Sequence, residues 1–390
     1  MKIYLDNAAT TPLSIDVFQA MQPYFFENFG NPSSAHSSGR AAKTAIEESR
    51  STIAELLNTS PDHIIFTSGG TEADNTAILS AIRSNQIRLA ITTPFEHHAV
   101  LNTLKALERS GEIRVVYLKH DEKGNLSAAH LTQLLAAGEP ALVSVMHGNN
   151  EVGNLNDIEE IAEVCSRYGA VFHSDTVQTM GQYQYDTTRL KADFLVGSAH
   201  KFHGPKGIGF LYKRSAEAVR PFINGGSQES GQRSGTENVT GIVGLAKALE
   251  LAYDNRDTYQ KHIGHLKQRM ILKLINRIPD IKFNGNSALR SLSLSTVLSV
   301  ALPESLTGVS PLVYLDQHGI SASGGSACSS HSAAGSHVLS ALNDNFGRST
   351  IRFSFSRYNT TEEIDHVVDK LADLFTIRAV PSEYYSVRTA

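Results

Sequence analysis

Short apolar runs recur along the first half of the chain. Each is followed by a polar or glycine-containing turn and then by apolar residues at helical spacing. Ile64-Ile65-Phe66-Thr67, Leu89-Ala90-Ile91-Thr92-Thr93, Arg114 to Leu118, Ala141 to Met146, Ala170 to Ser174, Ala192 to Val196 and Ile208 to Tyr212 read as strands, because such runs are too short for buried helices. Between them, Ile15 to Phe26, Arg40 to Leu57, Ala73 to Ile82 and the stretch from Ala99 to about Arg109 carry the helical period. Strand, helix and strand in alternation predict an α/β protein, its mostly parallel sheet lying between helices. After Glu237 the pattern changes to a long helical stretch reaching Ile278. A strand near Leu292 to Val300, a helix near Leu312 to His318, the strand Ser349 to Phe355 and a helix from Thr361 to Phe375 follow. Thr360-Thr361-Glu362-Glu363 has the form of a capped helix start. The expected organisation is a large domain over residues 13–255 and a smaller α+β domain built from 1–12 and 256–390.

Composition changes this picture little. The 390 residues exceed what one simple core serves, and 41% hydrophobic with 19% charged residues is ordinary for a globular chain. A net charge of -4 with no long run of one sign leaves no electrostatic footprint for nucleic acid or an anionic membrane. No apolar stretch is long enough to span a bilayer, and no apolar segment of a signal peptide follows Met1. Two cysteines, Cys165 and Cys328, make no disulfide framework, so a reducing cytoplasm is expected.

In a parallel α/β sheet, ligands bind beyond the carboxyl ends of the strands. That rule selects Gly70, Thr71, His97, Asn149, Asn150, Asp175, Ser198, His200 and Lys201. Ser68-Gly69-Gly70-Thr71-Glu72 joins a strand to a helix and offers backbone N–H groups to a phosphate. Lys201 lies on a turn between two buried strands, beside imidazoles, where an amine loses protons easily and can form a Schiff base with an aldehyde. Read alone, a turn lysine such as Lys201 far more often faces solvent, and Asp175 has the alternative of a helix N-cap. His97-His98 has no third ligand at metal spacing nearby, so no metal is expected. As a set, the residues describe a pyridoxal phosphate site. Asp175 would pair with the ring nitrogen, Gln178 would donate to the phenolic oxygen, His97 would stack on the ring, and Gly70, Thr71, Ser198 and His200 would take the phosphate. Residues 321–335, Ser321-Ala322-Ser323-Gly324-Gly325-Ser326-Ala327-Cys328 and onward to Gly335, contain no large apolar side chain. A cysteine in so unburiable a stretch favours a reactive thiol, whereas Cys165, within an apolar helical pattern, reads as core. His331 reads as a solvated loop residue.

These stretches, with others, resemble the cysteine desulfurases of the NifS and IscS type, in the class V aminotransferase group of pyridoxal phosphate fold type I. The resemblance runs nearly end to end, through Tyr4-Leu5-Asp6-Asn7-Ala8-Ala9-Thr10-Thr11, Gly30-Asn31-Pro32-Ser33-Ser34, Glu96-His97-His98-Ala99-Val100, Ser198-Ala199-His200-Lys201-Phe202-His203-Gly204-Pro205-Lys206-Gly207, Arg233-Ser234-Gly235-Thr236-Glu237-Asn238, Gly325-Ser326-Ala327-Cys328 and Ser349-Thr350-Ile351-Arg352-Phe353-Ser354. It departs at Gly324, where Ser is usual, at Thr176, where Ala is common, and at Ala334 to His337, which lacks a proline. It implies an enzyme that converts L-cysteine to L-alanine and a persulfide on Cys328, with Lys201 binding the cofactor covalently and His97 moving protons. It also implies that Arg352 holds the substrate carboxylate with Asn31 and Asn150, and that Thr236 reaches the phosphate from the other subunit of a homodimer. A protein sulfur acceptor, such as an iron–sulfur scaffold, is the implied partner. A selenocysteine lyase, a cystine C–S lyase, a class V aminotransferase or a non-catalytic sulfur carrier are the alternatives. The lyases and the aminotransferase would not need Cys328, and the carrier would not need Lys201, Asp175 and Arg352.

Overall fold

The computed structural model describes residues 2–215, 219–304, 308–324, 335–342 and 348–375. Its strands, in chain order, are β1 (Ile3–Tyr4), β2 (Ile64–Thr67), β3 (Leu89–Thr92), β4 (Arg114–Tyr117), β5 (Ala141–Ser144), β6 (Val171–Asp175), β7 (Phe194–Ser198), β8 (Gly209–Lys213), β9 (Lys282–Phe283), β10 (Val297–Leu302), β11 (Ile320–Ser321) and β12 (Ser349–Ser354). Seven of them form one sheet in the order β2-β8-β7-β6-β5-β3-β4. Only β8 runs against the others, pairing antiparallel with β2 and β7. The remaining pairs are parallel, as the strand–helix alternation predicts.

Both faces of this sheet are covered, which is why its strands are apolar runs rather than alternating ones. Ile64, Phe66, Leu89, Ile91, Val143, Phe172, Leu195 and Phe210 share a core with helices Ser37–Leu56, Ile158–Tyr168 and Val239–Asp254. Ala90 and Leu142 turn the other way, toward helices Gly70–Ser84 and His98–Arg109. A second core gathers Ile3 and Leu5 with residues from Ile263 to Leu374 around the antiparallel sheet β12-β10-β9. The molecule is thus α/β, a large mixed-sheet domain plus a smaller one.

Several elements differ in their bounds from the sequence pattern. The helix expected over Ile15 to Phe26 is two, Ile15–Met21 and Pro23–Phe26, since Pro23 has no N–H to continue the first. The long helical stretch breaks at Asn255, whose backbone (φ -108°, ψ 8°) leaves the helix and whose Nδ2 donates to Leu251 O at 3.0 Å. The strand expected from Leu292 begins at Val297. Residues 292–294 instead bond to the 153–155 stretch of the large domain, through Leu155 N to Leu292 O (3.0 Å) and Leu294 N to Gly153 O (2.8 Å). The capped start at Thr360 is present, with both reciprocal bonds to Glu363.

Candidate active site

β2, β3, β5, β6 and β7 all point their carboxyl ends to one edge of the large sheet. A cleft of about 220 Å³ opens there. Gly70, Thr71, His97, Asn150, Asp175, Gln178, Ser198, His200, Lys201 and Arg352 line it, together with Ala8, Ala9, Asp74, Met146 and Val177. Ten positions named from the sequence therefore meet in space. Asn31 and Thr236 do not reach this cleft in their own chain. Both are exposed, and Asn31 Oδ1 accepts from Ser33 N at 2.9 Å, a local turn bond. Cys328 and His331 lie outside the described residues.

Lys201 ends the single 3-10 turn Ala199–Lys201 between β7 and β8. The N-terminal segment fixes this turn from outside. Thr11 donates to His200 O through both its N (2.9 Å) and its Oγ1 (3.0 Å), and His203 N donates to Thr11 Oγ1 at 2.8 Å. His203 sits at φ 69°, a conformation costly for a side chain of its size, and its ring Nδ1 lies 2.9 Å from Pro12 O. Lys201 Nζ donates to Ala8 O at 2.6 Å and Ala9 O at 2.9 Å. Gln178 Nε2 donates to Ala8 O as well, at 3.0 Å. The Ala8–Ala9 backbone, which the sequence reading gave no place at the site, is thus one wall of the cleft.

Asp175 is the last residue of β6 and is buried. Burial raises its carboxyl above the ordinary range, while His97, the Val177 N–H (2.9 Å) and Lys201 pull it back. His97 caps the helix His98–Arg109, its Nδ1 accepting from Ala99 N at 3.2 Å, which leaves Nε2 for the cleft side. Burial lowers its affinity for a proton, Asp175 opposes that, and Lys201 reinforces it. His200 is pushed down to about 4 by burial and by Lys201 and Lys206, so it is neutral near neutral pH. Its Nδ1 lies 3.2 Å from Thr10 Oγ1.

Arg352 comes from β12 of the small sheet and is only 1% exposed. It donates to Asn150 O at 2.8 Å and to Asp6 Oδ1 at 2.7 Å, and its Nε has no partner. A buried, unpartnered donor on a cleft wall is suited to an incoming carboxylate. The sequence reading assigned no role to Asp74, Glu96 or Asp6. Asp74 left one trace: it falls on the apolar face shared by Gly70, Ala73, Ala77 and Ile78 of its helix, where a carboxylate is out of place.

The long loop after Phe222 is tied to the large domain by two ion pairs. Glu229 takes both Arg50 terminal nitrogens at 2.7 Å and the Phe66 N–H at 2.9 Å, and Arg233 Nε pairs with Glu72 at 2.9 Å. Ser234 is buried, whereas residues 222–227 and the end of the loop at Gly235 and Thr236 are exposed to solvent.

This sheet, its edge cleft and the second small domain define a pyridoxal phosphate fold of type I. The class-V aminotransferase profile matches residues 3–367. A cysteine desulfurase IscS from Dictyoglomus turgidum is 42% identical over 374 residues, covering 95% of this chain and 93% of that one. A solved NifS-like protein superposes with a TM-score of 0.87 at 35% identity, covering 96% and 99% of the two chains. A structure described as SspA in complex with cysteine gives 0.76 at 33% identity, over 92% and 100%. The chain belongs to the class-V aminotransferase family and, within it, to the NifS/IscS-like cysteine desulfurases.

The residues present fit pyridoxal phosphate. The fifteen-residue helix Gly70–Ser84 brings its N-terminus to the cleft, with first-turn N–H groups that have no helical partner. Gly69 precedes it at φ 155°, which a side chain would strain, and a Cβ on Gly70 would meet Val177 Cγ2 at 2.6 Å. A lysine amine and a buried acid line the same cleft. Aldehyde, ring nitrogen and phosphate each therefore have a group of the right chemistry.

Proposed function

We propose that this chain takes the sulfur of L-cysteine, releases L-alanine and holds the sulfur as a persulfide on Cys328. A protein acceptor then carries the sulfur into iron–sulfur clusters, thio-cofactors or thiolated tRNA. The convergence of Lys201, Asp175, His97 and Arg352 on one cleft carries this reading. When bound, pyridoxal phosphate supplies an aldehyde for an amino group and a ring that accepts electrons from the substrate's Cα. Lys201 Nζ holds that aldehyde between turnovers and moves the Cα proton. Asp175 keeps a proton on the ring nitrogen, Gln178 holds the phenolic oxygen, and Gly70, Thr71, Ser198 and His200 take the phosphate.

Arg352 Nε, backed by its bonds to Asp6 and Asn150, takes the substrate carboxylate, with Asn31 and Asn150 assisting. His97, on the cleft wall, would lie against the ring and move the proton at sulfur. The thiolate of Cys328 donates the electron pair of the new S–S bond, and the pair of the broken Cβ–S bond stays on carbon and takes a proton. The sulfur moves with no external oxidant. Cys328 lies outside the described residues, and its part rests on the resemblance.

A homodimer supports the site from the second subunit, with Thr236 joining the phosphate. Phe26 (75% exposed) and Phe29 (74% exposed) are large apolar residues open to solvent, and Gln228 Nε2 ties the Thr236 loop to Ser33 of the Phe29–His36 loop at 3.5 Å. Among the described residues no helix is long and apolar enough to cross a membrane. A cytoplasmic enzyme, whose reducing surroundings keep its thiol free, is the reading that fits. Two separate cores support a division into a large domain over residues 13–255 and a smaller one from 1–12 and 256–390. Incubation with L-cysteine tests the whole: alanine should accumulate and the Cys328 peptide should gain one sulfur by mass spectrometry. Release of a keto acid, or of sulfide by a Cys328→Ala variant at the full rate, would move the chain to the aminotransferases or the lyases.

A further inference from the structure

Beneath the cleft the fold buries more carboxyl groups than the cofactor uses. Asp74 is 1% exposed, Glu96 0% and Asp175 6%. Asp74, His97 and Asp175 each place a side-chain N or O within 4.8 Å of the other two. The groups facing one another come from four elements. Helix Gly70–Ser84 gives Asp74, β6 gives His173 and Asp175, the turn before helix His98–Arg109 gives Glu96 and His97, and the Ala199–Lys201 turn gives Lys201. Three anions in one dry volume would repel strongly, since little solvent screens them.

The geometry shows where protons go. Asp74 Oδ1 and His173 Nε2 stand 3.2 Å apart, both fully buried, and neither has a hydrogen bond to any other group. The other ring nitrogen, His173 Nδ1, lies 2.9 Å from Ser144 Oγ. A carboxylate oxygen and a bare ring nitrogen are both acceptors, so a single proton placed between them satisfies both at once. If the ring held it, Asp74 would be an anion beside Asp175 and Glu96. If the acid holds it, Asp74 is neutral, Nε2 accepts, and Nδ1–H donates to Ser144 Oγ.

We propose that Asp74 is a protonated acid that donates to His173 Nε2, and that it thereby leaves Asp175 the single charged carboxylate available to the cofactor's ring nitrogen. Asp74 is a positioning residue, acting through Asp175, and its role rests on the cofactor reading above. Burial, Asp175 and Glu96 together raise the Asp74 carboxyl well above its usual range. Burial also pushes Glu96 up to about 8, so its carboxyl, which accepts from Thr93 Oγ1 and Met146 N at 2.9 Å, adds no charge near neutral pH. Burial brings His173 down to about 3, so the ring takes no second proton.

The direct test is nitrogen NMR on protein with isotope-labelled histidine, stripped of cofactor and reloaded. His173 should carry its proton on Nδ1 in both forms. Pyridoxal phosphate affinity of the stripped protein should fall about tenfold in Asp74→Ala, where Nε2 loses its donor, and return to within about twofold of the parent in Asp74→Asn, whose amide donates from the same place. A proton on His173 Nε2, or Asp74→Asn binding as weakly as Asp74→Ala, overturns the proposal. Should Asp74→Ala not fold, the tautomer in the unaltered protein still decides. Borohydride reduction of the loaded parent, followed by peptide mapping to Lys201, reports separately on the cofactor reading.

Discussion

Arg352 shows how a charged side chain can be buried and still be available. Two of its nitrogens are held, by Asp6 and by the Asn150 carbonyl, while Nε is left without a partner and the residue lines the cleft. A guanidinium presents such a fork rigidly, whereas a lysine ammonium cannot reproduce it. Arg352→Lys should therefore raise the KM for cysteine by about ten- to a hundredfold, the worth of a charge-assisted bond of about 1.5–3 kcal/mol, with cofactor absorbance retained. Unchanged KM in steady-state assays would remove Arg352 from the substrate. The two cysteines offer a second contrast. Cys165 is wholly buried in helix Ile158–Tyr168 and its thiol is pushed up to about 12, chiefly by burial, so it is inert. Cys165→Ala should cost about 1–2 kcal/mol in denaturant unfolding and leave alanine production nearly intact. Cys328→Ala should still bind cysteine, seen as a change in the cofactor's absorbance, while alanine production falls by roughly two or more orders of magnitude.

At the scale of elements, two segments far apart in sequence hold the site in place. The N-terminal strand β1 pairs parallel with β11, and its continuation bonds to β12 before crossing to the Lys201 turn, so one extended segment joins both sheets to the reactive amine. The loop carrying Thr236 is fixed by Glu229, which sits at φ 46° and closes on Arg50 beneath the Phe66 ring. Arg50 has a side-chain exposure of only 10%, and removing Glu229 leaves its guanidinium only Glu47 at 3.1 Å and the Ile64 carbonyl at 2.8 Å. Glu229→Ala should then destabilise the chain by about 1.5–3 kcal/mol, the worth of lost charge-assisted bonds, and loosen the loop. Denaturant unfolding measures the first effect, and proteolysis within the loop the second. A change below about 1 kcal/mol would mean that water replaces the carboxylate.

For the whole molecule, the buried imidazoles and carboxyls set two pH windows of opposite sign. His147, His200 and His203 are pushed down to about 4 and His173 to about 3, each mainly by burial. The unfolded chain binds protons near 6.5 and the folded one does not, so stability is lost as pH falls from about 6.5 through about 4. Glu96 goes the other way. Its folded carboxyl is raised from 4.5 to about 8, so its contribution is complete below about 4.5 and is lost as pH rises through about 8. Thermal melts should show a steep acid limb, and Glu96→Gln should flatten the alkaline side. A melting temperature constant from pH 6.5 down to about 4 would contradict the first point. The exposed Phe26 and Phe29 belong to the same scale. Phe26→Asp should weaken the dimer in sedimentation and, if Thr236 serves the partner's phosphate, lower cofactor affinity in proportion.

The chain's pattern by itself determined the alternating strands and helices, the sheet edge where ligands gather, and most of the residues that meet there. Apolar period and turn chemistry act over a few residues, so they are written locally. Helix bounds were legible to within a few residues. The breaks at Pro23 and Asn255 passed unread because a helical period continues across both. Tertiary structure alone decided that Ala8 and Ala9 form a cleft wall, since a backbone carbonyl has no sequence signature. It alone placed Asp6 on Arg352 and turned the Thr236 loop back through Glu229. It also gathered Asp74, Glu96 and Asp175 in one dry space, where their protons are set by mutual repulsion and lost water. Charge interactions of that kind depend on distances through space, which residue order does not record.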